Sequence, residues 1–105
     1  AHTVSGPPNL FIIIKKTARP EQLVVSALGT GMQNALRFGV DRTERPQYRG
    51  WAQSSIYYFL ASYPLIGDLV TKPRAMLDEE DTRSHIPQTN VSVAVTDHNP
   101  SWMYF

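Results

Sequence analysis

The stretch Pro20-Glu21-Gln22-Leu23-Val24-Val25-Ser26-Ala27-Leu28-Gly29-Thr30-Gly31-Met32-Gln33-Asn34-Ala35-Leu36-Arg37 is the one on which the fold turns. From Gln22 to Leu36 it carries no charge. Pro20 suits a first helical residue, because its missing N–H falls where a helix has no internal partner. Glu21 at the start and Arg37 at the end match the helix dipole. Ala27, Gly31 and Ala35 recur every four residues and would form one smooth stripe on a helix face. Small residues at that spacing let a second helix approach closely, as in membrane helix pairs. In water, Gly29 and Gly31 would each cost such a helix about 1 kcal/mol relative to alanine. Close packing would have to offset that cost. The reading predicts a helix over about residues 20–40, with Ala27, Gly31 and Ala35 as its packing face. Gln22, Ser26, Thr30, Gln33 and Asn34 make it a polar span, suited to burial among other membrane helices. A soluble amphipathic helix is the alternative.

Outward from this stretch lies a polar link, residues 41–49. Its ordinary role is a solvated loop. With Arg37 included it holds four arginines, Arg37, Arg42, Arg45 and Arg49, against two acids. From Gly50 to Gly67 the chain is again uncharged and holds Trp51, Ile56, Tyr57, Tyr58, Phe59, Leu60, Tyr63, Leu65 and Ile66. Extended through Val70 it has about 20 residues, ~30 Å as a helix, which matches a bilayer core. Trp51 near one end suits an interfacial aromatic position. Pro64 would kink or stop a helix in water, whereas membrane helices tolerate it when neighbours satisfy the freed carbonyl. The soluble alternative is a core helix ending near Ser62, followed by a loop. The expected fold class is therefore all-α: a membrane helical hairpin of two transmembrane helices, about 20–40 and 50–71, within residues 20–72.

Residues 1–19 are expected to be an extended N-terminal segment. Pro7 and Pro8 fix φ and lack donors. The run Leu10-Phe11-Ile12-Ile13-Ile14 is too short to span a bilayer. It reads as a short buried strand, or as a segment lying at a membrane surface beside Lys15, Lys16 and Arg19. The start lacks the basic, apolar and small-residue pattern of a secretory signal, and Ala1 fits a mature end. Residues 73–105 form a polar, acidic tail. Asp78-Glu79-Glu80-Asp81 reads as a solvated face or a helix start. Val91-Ser92-Val93-Ala94-Val95 alternates and could pair as a strand. Trp102, Tyr104 and Phe105, with Met103, are expected to dock on a partner, on lipid headgroups or on the chain's own core.

The composition narrows the chemistry. Among 105 residues, 10 Lys and Arg stand against 9 Asp and Glu, a balance that argues against a dedicated nucleic-acid binder. With 0 Cys there is no disulfide framework, cysteine-ligated zinc or thiol nucleophile. His2, His85 and His98 each lack a companion at metal-ligand spacing. No G-x-S-x-G motif surrounds a serine. Leu28-Gly29-Thr30-Gly31 lacks the full dinucleotide-binding and phosphate-loop patterns. No catalytic, cofactor-binding or metal-binding residue is assigned, and no cofactor is expected.

One family shares the order of several words in this chain. A proline-rich start precedes Leu23-Val24, Leu28-Gly29 and Gly31. Asn34-Ala35-Leu36-Arg37 follows, then Arg45-Pro46, Gly50, an aromatic second apolar stretch and a tail with acidic residues. Over roughly residues 6 to 85 the sequence resembles the C2-type two-helix accessory subunit of mitochondrial respiratory complex I. That resemblance implies a non-catalytic subunit of the membrane arm, packed on core subunits and supporting their assembly. It implies the mitochondrial inner membrane and partners within a large membrane complex, with Arg37, Arg42, Arg45 and Arg49, and Trp51 beside them, meeting acidic partners or phospholipid headgroups such as cardiolipin. An accessory subunit of another respiratory complex or of ATP synthase is a sister reading. A small soluble α-helical protein-interaction module is a different class. A small hydrolase or metal enzyme built on His85 or His98 is a third.

Overall fold

A computed structural model describes residues 9–43, 45–79, 83–85 and 89–98. In chain order the elements are β1 (Leu10–Lys16), β2 (Gln22–Gly29), β3 (Leu36–Asp41), β4 (Gln47–Arg49), α1 (Gln53–Ser62), α2 (Pro64–Thr71), α3 (Arg74–Glu79), β5 (Arg83–His85) and β6 (Val91–Thr96). The strands form one sheet in the order β4-β3-β2-β1-β6-β5. β1 to β4 make an antiparallel meander. β6 returns to lie parallel to β1, and β5 pairs antiparallel with β6. A parallel neighbour cannot be reached by a tight turn. The three helices supply the crossover, and they cover one face of the sheet.

Residues 20–40 form β2, a turn and β3, which corrects the helix expected there. Leu23, Val25 and Ala27 are buried, and they lie in register with Lys16, Ile14 and Ile12 on one side and Val40, Phe38 and Leu36 on the other. Burial at every second residue is the period of a strand. Val24 and Val25 add the β-branched preference for extended backbone. Gly31 sits in the turn to β3 with φ +84°, in the left-handed region. The Met32 N–H donates to the Gly29 carbonyl at 3.1 Å across that turn. Ala27 faces the core in β2, Gly31 is in the turn, and Ala35 precedes β3. The three share no face, so the packing stripe does not exist. Among the described residues the architecture is a mixed sheet with three short helices on one face, an α/β fold and not an all-α membrane hairpin.

The second apolar stretch is also divided. Tyr63, at φ −131° and ψ 71°, leaves helical geometry, and Pro64 opens α2 at its first turn. Here the proline acts as it does in water, ending α1 at Ser62. Among the described residues no helix is long and apolar enough to cross a membrane, which removes the transmembrane assignment. Each helix instead turns a narrow apolar face to the sheet. Ile56 is buried on α1, Ile66 and Val70 on α2, and Leu77 on α3. They meet Ile12, Ile14, Leu23, Val25, Phe38, Val40, Val93 and Val95 in one core. The Leu10–Ile14 run is thus the short buried strand of its two readings, and Val91–Val95 pairs as the alternation suggested.

Phe38 is the largest fully buried side chain, with Tyr48 and Phe59 edge-on to it at 6.0 and 6.3 Å. Two arginines fasten the layers. Arg42 donates to the Lys72 carbonyl and, at 3.0 Å, to the Pro20 carbonyl. Arg74 donates to the Thr17 carbonyl at 3.1 Å. Lys16 is 6 % exposed at the end of β1, and its ammonium lies 3.5 Å from the Asp97 carboxylate just beyond β6.

Two substitutions test this account by chemical denaturation. Phe38→Ala lowers stability by about 3–5 kcal/mol, the cost of emptying a large buried site. Gly31→Ala would stabilise a helix by about 1 kcal/mol. In this turn it destabilises by roughly 1–2 kcal/mol, because a Cβ at positive φ is strained even with open space around it.

Candidate functional site

Among the described residues β4 is an edge of the sheet, and its backbone direction follows from the ladder. The Arg42 N–H donates to the Glu21 carbonyl at 2.8 Å, so Arg42 faces β2. Alternation then turns Gly39 and Asp41 toward β4, where they oppose Arg49 and Gln47. The N–H and C=O of Tyr48 therefore point away from the sheet. The Gln53 side-chain amide donates to that outward carbonyl at 3.0 Å. Gly50, at φ +114°, bends the chain off the edge. Its backbone passes close over β3: a Cβ there would lie 3.6 Å from the Arg37 carbonyl oxygen and the Phe38 Cα. That bend carries Trp51 and the start of α1 around the end of the sheet.

Between β4 and α1 lies an open groove of about 500 Å³. Its aromatic wall is Tyr48, Trp51 and Tyr57, and Pro46, Gln53 and Arg49 complete it. Tyr48 is half-buried against Phe38 and meets Tyr57 edge-on at 5.6 Å. Trp51 is 45 % and Tyr57 57 % exposed, and the neighbouring Tyr58 is 80 % exposed. Gln53 and Tyr57 are one turn apart on α1, so both reach the same side of the helix. Among the described residues, Arg49 is the one charged residue lining the groove. Burial, and then the neighbouring Tyr57, push the Tyr48 phenol above the ordinary tyrosine range.

A second, smaller depression of about 250 Å³ lies on the sheet face away from the helices. Gly39 and Val24 lie among its lining residues, with Gln22, Asp41 and Arg49. Asp41 accepts from the Thr43 hydroxyl and, at 3.1 Å, from the Thr43 N–H. Those bonds, assisted by Arg49 and Arg19, hold its carboxyl below the usual carboxylate range. Among the described residues, no three His, Asp or Glu side chains come together in a group able to hold a metal ion. Both depressions offer recognition: aromatic faces, an amide, a guanidinium and a carboxylate.

The structure separates the contacts expected from sequence. Arg45, Arg49 and Trp51 lie exposed along the β3–β4 turn and β4 edge, and Arg37 is exposed on β3. Arg42 is turned inward to the carbonyls of Pro20 and Lys72. Ala27 is spent in the core. Trp102, Tyr104 and Phe105 lie outside the described residues. Sequence reasoning missed Tyr48, Gln53 and Tyr57. Gln53 and Tyr57 had a legible signal in their four-residue spacing, whereas Tyr48 joins them only through the β3–β4 pairing.

The raised Tyr48 phenol has a measurable consequence. A tyrosine whose folded pKa exceeds its unfolded value stabilises fully below the unfolded value of about 10, and that stability falls as pH rises through the folded value. In absorbance titration Tyr48→Phe removes a phenol that ionises above the ordinary tyrosine range. It also reduces the loss of stability above pH ~10. Comparison with protein-family models, with curated proteins and with solved structures finds no match for this chain.

Proposed function

We propose that this domain is a protein-interaction module that holds an extended segment of a partner chain in the groove between β4 and α1. The observation that carries this reading is the gathering of Tyr48, Trp51 and Tyr57 beside an edge strand, with Trp51 and Tyr57 about half in solvent. Tryptophan, tyrosine and arginine are the side chains on which binding energy concentrates at protein interfaces. They present large, stiff surfaces at a small cost in rotamer freedom. Covering that surface stabilises a complex by about 25 cal/mol per Å² of apolar area. The groove is open rather than enclosed, which favours a chain segment over a small molecule sealed from water.

This is a non-catalytic role, the class that the complex I resemblance also implies. A partner within that complex, the inner-membrane location and cardiolipin contact at Arg37, Arg45 or Arg49 rest on the resemblance alone. Identifying the partner decides them.

The test places a photo-reactive benzoylphenylalanine at position 57 or 51 of the full chain, followed by irradiation in the source cells and mass spectrometry of the adducts. A discrete adduct is expected from both positions and not from the same group at Gln33, which is exposed between β2 and β3. Equal labelling from Gln33, or no adduct from the groove positions, would overturn the reading.

A further inference from the structure

We infer that the occupant of this groove is an acidic extended segment that joins the sheet as a strand outside β4, its backbone N–H replacing the Gln53 amide on the Tyr48 carbonyl. The inference rests on the groove reading above and names the partner's chemistry and its mode of binding.

Three observations converge on it. First, Tyr48 presents its N–H and C=O outward at the sheet edge, in the direction in which a further strand would bond. Second, that carbonyl already accepts a hydrogen bond from an amide: Gln53 Nε2 lies 3.0 Å from it. A carboxamide N–H is the side-chain equivalent of a peptide N–H, so Gln53 occupies the place of an incoming backbone donor. Gln53 is exposed and begins α1, where turning its side chain away breaks no other hydrogen bond among the described residues. Third, among the described residues the edge carries two guanidinium groups against the one carboxylate of Asp41, which already accepts from Thr43. Arg49 lines the groove, Arg45 is exposed in the adjoining turn, and α1 from Gln53 to Ser62 contains no charged residue.

These observations also discriminate among occupants. Adding a strand to an exposed edge draws affinity from main-chain hydrogen bonds, with side chains at alternate positions giving specificity. A polyproline segment lacks the N–H that the Tyr48 carbonyl would accept. A second copy joined through the same edge would bring Arg45 and Arg49 of each chain together, a like-charge contact. Glutamate or aspartate at alternate positions faces Arg49 and Arg45, while the intervening side chains meet Trp51 and Tyr57.

The test uses the full chain and fluorescein-labelled octapeptides read by fluorescence anisotropy. The first peptide alternates valine and glutamate, the second valine and lysine. The third is the first with its central amides N-methylated. The glutamate peptide is expected to bind, and the lysine and N-methylated peptides to bind at least tenfold more weakly. Gln53→Ala is expected to tighten the glutamate peptide about fivefold, by removing one competing hydrogen bond. Trp51→Ala is expected to weaken it. Equal binding of the N-methylated peptide, with the Trp51→Ala loss retained, would overturn the strand mode and leave the groove reading intact. Equal binding of the lysine peptide would overturn the acidic assignment. Failure of the glutamate peptide to bind, while the photo-adducts at positions 51 and 57 form, would overturn the inference alone. A dimer seen by sedimentation and disrupted by Trp51→Ala would replace the acidic segment with a second copy.

Discussion

The rest of the structure depends on β1 being paired on both sides. Ile12 and Ile14 have no exposure, and they stand in register with Ala27 and Val25 of β2 and with Val93 and Val95 of β6. The pairing to β2 closes through a short turn. The pairing to β6 joins segments about eighty residues apart and runs parallel, so the chain must cross from one side of the sheet to the other. That crossover is what α1, α2 and α3 perform, and the face they cover becomes the core. The second pairing is non-local, the kind of contact that slows folding. The Lys16–Asp97 ion pair sits at the end of β1 and β6, where it ties this junction.

The groove is a consequence of the same constraint. To begin the crossover the chain has to leave β4 and turn back over the sheet, and Gly50 supplies the left-handed backbone that permits it. Trp51 and Tyr57 are left beside an edge strand, while Tyr48 reaches inward to Phe38. Gln53 closes the outward carbonyl of Tyr48, one way a protein blunts an open sheet edge. Arg42 and Arg74 hold the opposite corner, joining the β1–β2 turn to the helical layer.

The first and the last strand along the described chain were legible in the residues. Leu10–Ile14 and Val91–Val95 are short apolar or alternating runs bounded by turn-formers, and they form β1 and β6. The middle was not. In Gln22–Leu36 the four-residue recurrence of Ala27, Gly31 and Ala35 mimics a helix stripe. Alternation of Leu23, Val25 and Ala27 against Val24, Ser26 and Leu28 does not show in hydrophobicity, because both faces carry apolar residues. The decisive signals were the paired valines and the Gly29-Thr30-Gly31 turn. Pro64 carried its ordinary meaning, and the aromatic run around it proved to be half surface. At the candidate site, Arg45, Arg49 and Trp51 were expected as partner or lipid contacts, and the structure leaves all three exposed beside the groove. Tyr48 and Gln53 could not be joined from sequence, since their contact exists only once β4 has paired with β3.

The central claim, that β1 is the shared middle strand of a mixed sheet, is tested most directly by nuclear Overhauser spectroscopy on the isotopically labelled full chain. The account predicts cross-strand contacts from Ile12 and Ile14 to Val25 and Ala27 and also to Val93 and Val95, with extended-backbone patterns from Gln22 to Leu28. Sequential helical contacts running from Gln22 to Leu36, with no contact between Ile14 and Val95, would contradict it.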